Sequence, residues 1–310
     1  MSATQVSVDI LMATYNGEKY LSQQLDSILS QTFQDWRLLI RDDRSSDNTM
    51  MIVSEYAMRH PNKIMILPQG QHLGPKDSFS ALLKQSQARY TMFSDQDDVW
   101  LPTKISRTLA VMLDLEKHLG TSFPLLVYSD LVVVDDELLT IDQSFFHYIG
   151  TRPLYTLKAL LLQNTIAGCT VMINQSLGDM IPSIPDSAVM HDWWMGLVAA
   201  AFGKIVCLPE SGILYRQHNN NTAGVKKRGF TNILTNHRSG AWRYAVTATQ
   251  RQAAALGDLY GDHMHGNTRR MILDYANLYK NQFFVRKWII MKYRLYRVGI
   301  MAALGWLLFI

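Results

Sequence analysis

Residues 90–100 of this chain read YTMFSDQDDVW. The apolar and β-branched start of this segment predicts a buried strand, and the turn that follows it carries three carboxylates. A buried strand that leads directly into an acidic turn is typical of sheets whose functional groups gather at the strand ends. Working outward from this segment, we find the same order of apolar run and polar turn twice upstream.

Two earlier strands are also followed by polar turns: after residues 6–12 come Thr14, Tyr15 and Asn16, and after residues 36–40 come Asp42 and Asp43. Strands and helices alternate, with strands predicted at 6–12, 36–40, 64–67, 90–93 and 125–128 and helices at 20–29, 49–60, 79–87 and 102–119. This alternation predicts an α/β fold with a mostly parallel, doubly wound sheet. Ligands of such sheets bind beyond the carboxyl ends of the strands, where all three polar turns fall.

The acidic turn after residues 90–93 predicts a metal site. Asp95, Asp97 and Asp98 repel one another unless a positive charge lies between them. Hard oxygen ligands suit Mg²⁺ or Mn²⁺, and no glycine-rich phosphate loop is present that would hold a diphosphate by backbone amides. The alternative is a solvated acidic turn that caps the next helix.

The other two turns suit a nucleoside. An acidic side chain at Asp42 or Asp43 can accept hydrogen bonds from a base or a ribose hydroxyl. The Thr14, Tyr15 and Asn16 turn offers a hydroxyl, an aromatic face and a close backbone approach. Asp47 or Asn48 would cap the following helix.

The second half is less regular, with helices predicted at 157–162 and 192–201 and strands at 169–173, 204–208 and 213–215. Asp192 is either the N-cap of its helix or a general base beside Trp193, an aromatic surface that suits a sugar ring. Arg216 is a candidate contact for a diphosphate. His218 either completes a metal site or is structural.

Five segments together resemble the family 2 glycosyltransferases, in the family's order and spacing: MATYNG at 12–17, SQTF at 30–33, IRDDRSSD at 40–47, SDQDD at 94–98 and HDWW at 191–194. The resemblance covers about residues 1–220. It implies a GT-A type nucleotide-sugar-binding fold with a mostly parallel mixed sheet. It also implies a nucleotide-sugar donor.

The resemblance assigns roles to single residues. Asp43, with Tyr15 beside it, holds the base of the nucleotide. In the Asp-x-Asp motif, Asp95, Gln96 and Asp97 face the ribose and the metal, and Asp97 is the direct ligand. Asp192 matches the catalytic base of an inverting transfer.

The segments SDQDDVW and HDWW also resemble a bacterial rhamnosyltransferase-like branch, which builds cell-wall or O-antigen polysaccharides. This implies dTDP-rhamnose as the donor. The Gln-x-x-Arg-Trp motif of processive synthases is absent, and this absence favours the addition of a single sugar. The expected acceptor is a polyprenyl-diphosphate-linked saccharide, which fits attachment of the C-terminal region to a membrane.

Charge is distributed unevenly along the 310 residues. Residues 1–225 carry 16 Lys and Arg against 23 Asp and Glu, whereas residues 226–310 carry 14 against 3. We therefore expect a catalytic domain over 1–225 and a helical, basic, aromatic-rich region over 226–310. The end of that region, residues 283–310, suits an interfacial helix on anionic lipid, with core packing or a homo-oligomer contact as alternatives. Its uncharged run, 298–310, is too short to span a bilayer.

The predicted location is therefore cytoplasmic, at the inner face of the cell membrane. The N-terminus lacks the pattern of a signal peptide. Cys169 and Cys207 lie in apolar runs, which favours buried reduced thiols and excludes a disulfide scaffold.

Two other functions share some of these features. A nucleotidyltransferase has a similar sheet and acidic metal site, but usually carries a glycine-rich basic loop after the first strand. A non-catalytic nucleotide- or nucleic-acid-binding protein would explain the basic tail. The acidic strand ends disfavour it, because without metal they repel polyanions, so no nucleic-acid partner is expected.

Overall fold

The computed structural model describes residues 8–218, 241–298 and 306. The expected domain boundary at residue 225 and nearly all of the apolar run 298–310 lie outside these residues. Within them, both cysteines are free thiols, Cys169 buried and Cys207 half-buried. No helix of this described part combines the length and apolar character needed to cross a bilayer.

The first half alternates strand and helix, as the apolar periodicity predicts. Its elements are β1 Val8–Thr14, α1 Leu21–Leu29, β2 Trp36–Asp42, α2 Thr49–Arg59, β3 Ile64–Ile66, α3 Pro75–Leu83, β4 Tyr90–Ser94, β5 Val99–Trp100, α4 Lys104–Leu119 and β6 Leu125–Ser129. β1, β4 and β6 are buried along nearly their whole length, as expected of strands covered by helices on both faces.

The second half contributes shorter elements. They are β7 Val132–Val134, β8 Thr140–Asp142, α5 Phe145–Tyr148, α6 Leu157–Leu160, β9 Met172–Asn174, α7 Gln175–Asp179, α8 His191–Phe202, β10 Lys204–Leu208 and β11 Ile213–Arg216. The described part of the chain after residue 240 includes the α-helices α9 Ala241–Tyr260, α10 Gly266–Ala276 and α11 Phe283–Tyr293.

The main sheet has seven strands in the order β10-β6-β9-β4-β1-β2-β3. β9 runs antiparallel to both β4 and β6, and the other neighbours pair in parallel. The sheet is therefore mostly parallel and mixed, as predicted. Thr14 of β1 is in register with Asp42 of β2, and Met12 with Ser94 of β4, so the three polar turns emerge side by side.

A second sheet, of order β5-β11-β7-β8, adjoins the carboxyl ends of the first. The acidic turn Asp95 to Asp98 connects β4 of the large sheet to β5 of the small one. Because β5 pairs with β11, the residues at the end of β11 lie next to this turn. The small sheet thus places the end of β11 beside the acidic turn.

Several predicted bounds are wrong for local reasons. α3 begins at Pro75 rather than near residue 79, because Gly74 takes a positive φ of 77° and the proline then starts the helix. Pro102 precedes α4, whose N-cap is Thr103. Cys169 lies in a one-turn 3-10 helix before β9. β5, β7 and β8 went unpredicted because two or three residues are too few to show alternation.

The C-terminal helices pack on the rest of the protein through α8. The Tyr260 ring lies 6.2 Å from that of Trp194 and 5.6 Å from that of Phe202. The Gln252 side-chain oxygen accepts a hydrogen bond of 2.9 Å from the Val189 amide. Ile290 of α11 belongs to the same apolar cluster as α8, so these helices share a core with the sheet.

Candidate active site

A cleft of about 520 Å³ lies at the carboxyl ends of β1, β2 and β4. Seven of the predicted site residues line it: Thr14, Tyr15, Asp43, Asp95, Gln96, Asp97 and Asp192. The other five, Asn16, Asp42, Trp193, Arg216 and His218, are not part of its wall. The structure therefore brings together residues that are up to 178 positions apart in the chain, from Thr14 to Asp192.

Gln96 fixes the turn after β1. The Tyr15 amide donates to the Gln96 side-chain oxygen at 2.8 Å, and the Gln96 amide nitrogen donates to the Tyr15 carbonyl at 2.9 Å. A Cβ atom on Gly17 would lie 2.4 Å from the same Gln96 oxygen, so the Gln96 side chain can hold this position only beside a glycine. Gln96 was predicted to face the nucleotide, and its side-chain amide is engaged by the backbone here.

Asn16 and Asp42 connect the turns after β1 and β2. The Asn16 side-chain oxygen accepts from the Ser46 amide at 2.8 Å, with Asn16 itself at a positive φ of 47°. Buried Asp42 accepts from the Thr14 hydroxyl at 3.0 Å and from the Ser45 hydroxyl at 2.6 Å. These contacts hold the two turns together at the mouth of the cleft.

Asp43 lines the cleft, and its carboxylate accepts hydrogen bonds from a cation and from two backbone amides. It accepts from the Arg41 guanidinium at 2.6 Å and from the Leu73 and Gly74 amides at 2.7 Å each. Burial by itself would raise the pKa of Asp43, but these donors outweigh burial and hold the pKa below its usual value. The carboxylate is therefore anionic at neutral pH and able to accept a hydrogen bond from a ligand.

His72 completes this side of the cleft, and sequence reasoning missed it. Its ring centroid lies 4.9 Å from that of Tyr15, and its Nδ1 lies 2.8 Å from the Asp43 carbonyl oxygen. The loop between β3 and α3 carries it there. The only sequence signal was its place between Gly70 and Gly74, in a loop that follows a strand.

The acidic turn concentrates charge that the protein only partly neutralises. Burial, and then the neighbouring carboxylates of Asp97 and Asp192, raise the pKa of Asp95 to about 7. Asp98 is fully buried, and one of its oxygens has no hydrogen-bond partner among the described residues. Ligand atoms of Asp95, Asp98 and Cys169 lie within 4.8 Å of one another. A group of carboxylates so poorly compensated fits a divalent cation.

Asp97 is held from the small sheet. His218 Nε2 lies 2.7 Å from its carboxylate, and Arg216 Nε donates to its carbonyl oxygen at 2.9 Å. The Arg216 guanidinium also donates to Gln23 at 2.6 Å and lies over the Tyr20 ring at 4.5 Å. Buried Arg216 thus supports the acidic turn from behind.

Asp192 faces Asp95 from α8. Its carboxylate accepts from the Gly168 amide at 3.1 Å, the Asn164 side chain at 3.3 Å and the Trp193 amide at 2.5 Å. Burial raises its pKa to about 7, although the Trp193 and Gly168 amides act in the opposite direction. The N-cap of α8 is Met190, so the cap alternative for Asp192 is wrong; it lies in the first turn, with its side chain toward the cleft.

Trp193 is turned away from the cleft. Its indole N–H donates to the Leu160 carbonyl oxygen at 2.6 Å, and its ring packs against the apolar core around α8. Asn164 and Gly168, which sequence reasoning missed, are the residues that orient the neighbouring Asp192. They follow no strand end or motif, so no local pattern marked them.

Comparison with known proteins decides the family. The chain is 30% identical over 222 residues to dTDP-rhamnosyl transferase RfbG of Shigella flexneri, a match that covers 69% of this chain and 73% of RfbG. The model of "Glycosyl transferase family 2" matches residues 9–124, which span β1 to the end of α4. The chain belongs to glycosyltransferase family 2.

Solved glycosyltransferases share this fold. The structure of Staphylococcus aureus TarS 1–349 in complex with UDP-GlcNAc aligns with a TM-score of 0.56 and 15% identity, over 93% of this chain and 91% of TarS. Mannosyltransferase PcManGT from Pyrobaculum calidifontis, in complex with GDP-Man and Mn²⁺, aligns with a TM-score of 0.52 and 17% identity, over 99% and 88%. These likenesses confirm the predicted GT-A type fold.

Membership of family 2 confirms the resemblance drawn from the five segments. It favours glycosyl transfer over the nucleotidyl-transfer and nucleic-acid-binding alternatives. The match of this glycosyltransferase to the family model ends at residue 124. Asp192 and the residues that orient it lie beyond that point, so their placement comes from the tertiary structure.

Proposed function

We propose that this glycosyltransferase moves one sugar from a nucleotide donor to an acceptor hydroxyl with inversion at the anomeric carbon. The observation that supports this most is the position of Asp192, a buried carboxylate in the same cleft as Asp95 and Asp97. Asp192 is the general base, and Asp43 with Tyr15 contacts the nucleoside. Arg41, Gln96 and Asn164 hold these groups in place.

The chemistry follows from the environment of Asp192. Burial brings its pKa to about 7, so near neutral pH the carboxylate is basic enough to accept the proton of an acceptor hydroxyl. The deprotonating oxygen attacks the anomeric carbon as the nucleoside diphosphate leaves from the opposite face. One displacement inverts the centre, so no nucleophilic side chain is required.

Mg²⁺ or Mn²⁺ is the proposed cofactor, with Asp95, Asp97 and His218 as its ligands. When bound, the cation neutralises the departing diphosphate. We expect turnover to stop in excess chelator and to return with added Mn²⁺ or Mg²⁺, and to fall steeply in Asp97→Ala and Asp95→Ala. Full turnover of the wild type in excess chelator would contradict the metal role.

The proposed donor is dTDP-rhamnose, and the support for it is the 30% identity to RfbG. A thermal-shift panel of nucleotides and nucleotide sugars tests this, because preferential binding to the folded state raises the apparent stability. We expect dTDP and dTDP-rhamnose to raise Tm more than UDP and UDP-hexoses. Stabilisation by UDP alone would overturn the donor assignment.

The proposed acceptor is a polyprenyl-diphosphate-linked saccharide of bacterial surface polysaccharide synthesis, reached from the cytoplasmic face of the membrane. On α11, Phe284 is 83% and Trp288 54% exposed, while Ile289 and Ile290 of the same helix are buried. α11 also carries Arg286, Lys287 and Lys292 and no acidic residue. An exposed aromatic surface with basic neighbours suits an anionic lipid surface.

We further propose that residues 1–225 form the catalytic domain and that residues 226–310 form the region that attaches to the membrane.

Point variants test the membrane attachment more sharply than a deletion, because deleting α11 would expose the core around Ile290. Phe284→Ser with Trp288→Ser should reduce flotation with phosphatidylglycerol vesicles and leave donor hydrolysis intact, with Leu139→Ser, another exposed apolar position, as the matched control. Unchanged flotation together with a change of oligomeric state would indicate a subunit contact.

A further inference from the structure

One polar side chain in the wall of the cleft has no role in the scheme above. His191 begins α8, directly before the proposed base, and is 5% exposed. Its ring stacks on Phe79, with centroids 4.1 Å apart and an interplanar angle of 30°, and lies 5.6 Å from the ring of Phe93. These ring contacts explain the burial of the imidazole, but they provide no hydrogen bond to its nitrogens.

Neither ring nitrogen of His191 has a hydrogen-bond partner among the described residues. Burial lowers the pKa of His191 to about 3, so the ring is neutral, with one N–H donor and one acceptor nitrogen. Buried polar atoms nearly always have partners, because desolvation without a hydrogen bond is unfavourable. A phenylalanine would pack against Phe79 without that penalty, so the imidazole at this position points to a ligand.

The surroundings indicate which ligand. Gly168 leaves space for the ring, since a Cβ atom there would lie 2.7 Å from His191 Nε2. The same Gly168 donates its amide to Asp192, so ring and base are held by one residue. A neutral imidazole suits a hydroxyl, which both donates and accepts, better than a phosphate, which only accepts and prefers cations.

His191 packs on elements that lead to the nucleotide side of the cleft. Phe93 lies on β4, two residues before Asp95, and Phe79 lies on α3, which begins after the Gly74 amide that binds Asp43. A group beside this ring would therefore lie in the same cleft as Asp43 and Asp95, the residues proposed to bind the nucleotide donor and its metal. We propose that His191 hydrogen-bonds a hydroxyl of the donor sugar and so contributes to donor specificity; this inference rests on the proposed function.

The test compares two variants by equilibrium binding. His191→Phe keeps the stacking on Phe79 and removes both nitrogens, whereas His191→Gln keeps one donor and one acceptor. The ligands are the nucleotide sugar selected by the donor panel and its nucleoside diphosphate. We expect His191→Phe to lower the affinity for the nucleotide sugar about 5- to 20-fold and to leave the affinity for the nucleoside diphosphate unchanged. His191→Gln should recover part of the loss.

Thermal denaturation separates this role from a structural one. If His191 serves the sugar, His191→Phe should have an unchanged or higher Tm, because two unpartnered polar atoms leave the interior. Equal weakening of both ligands, a lower Tm with unchanged sugar affinity, or no change in sugar affinity would each overturn the inference. A wild type that binds no nucleotide sugar would instead refute the proposed function itself.

Discussion

Asp43 and Asp192 are both buried carboxylates that line one cleft, yet their environments differ. Asp43 receives the Arg41 guanidinium and two loop amides, and its pKa is lowered. Asp192 accepts from two backbone amides and the Asn164 side chain, with no cation in contact among the residues that the structure describes, and its pKa rises to about 7. A nearby positive charge is the main difference between them.

This difference teaches how one residue type can fill two roles. A carboxylate that binds a nucleoside should stay ionised through the physiological range, and a cationic partner ensures this. A general base should exchange a proton near the working pH, which burial with few donors achieves.

The largest effect is expected from Asp192→Asn. The amide keeps the shape and one acceptor oxygen but cannot take a proton, so transfer should fall about 10²- to 10⁴-fold while nucleotide binding persists. Steady-state transfer assays and nucleotide titrations measure the two. Asp114→Asn, an exposed carboxylate on α4, is the matched control and should leave both unchanged. Normal activity per folded molecule in Asp192→Asn would show that this carboxylate is structural only.

Asp43→Ala should mainly cost stability and nucleotide binding. It leaves the Arg41 guanidinium buried without its carboxylate and two loop amides without an acceptor, which we expect to lower the free energy of unfolding by about 3 kcal/mol. Urea denaturation measures this. Glu55→Ala, which removes an exposed ion pair with Arg59, should cost under about 1 kcal/mol. Similar losses of stability in both variants would show that the buried pair of Asp43 with Arg41 contributes no more than an exposed ion pair.

The pH dependence of stability should differ between wild type and Asp192→Asn. Because the folded-state pKa of Asp192, about 7, exceeds the usual 3.8, the folded protein keeps a proton that the unfolded chain has released between these values. Its contribution to stability is therefore full below pH 3.8 and is lost as the pH rises to about 7. The wild type should lose up to about 1.4 kcal/mol per pH unit relative to Asp192→Asn across this window. Parallel stability curves would mean that Asp192 has an ordinary pKa.

The smallest effect is expected from Gly17→Ala. The new methyl group would displace the Gln96 side chain, so Tyr15 loses two hydrogen bonds and the turn beside Asp43 loosens. We expect a loss of about 1 kcal/mol in stability and a severalfold weaker nucleotide affinity, measured by thermal shift and titration. Gly266→Ala, where a Cβ atom meets nothing within 4 Å, is the control. Equal behaviour of the two variants would show that the Gln96 contact is unimportant.

The acidic residues at the strand ends could be predicted from the sequence, but the residues that hold the site in place could not. Asp43, Asp95 and Asp97 each follow a buried apolar run, and the carboxyl ends of parallel strands meet at one edge of a sheet. His72 and Asn164 lie in loops, and Gly168 begins a one-turn 3-10 helix. The positions of all three depend on packing, so no periodicity marked them. Asp192 could be identified from the sequence as either a helix cap or a base, and only the observed start of α8 at His191 excluded the cap.

By itself, the sequence determined the α/β fold, its family and the turns that carry the acidic residues. The fold and the turns follow from local apolar periodicity, and the family follows from the resemblance of five short segments, all of which a linear chain records directly. The tertiary structure decided which donors each carboxylate receives and therefore in which direction its pKa is shifted. A pKa depends on burial and on donors brought from remote segments, such as Gly74 to Asp43 and Gly168 to Asp192. For the same reason only the folded chain reveals that the nitrogens of His191 are buried beside the base without a partner in its described residues.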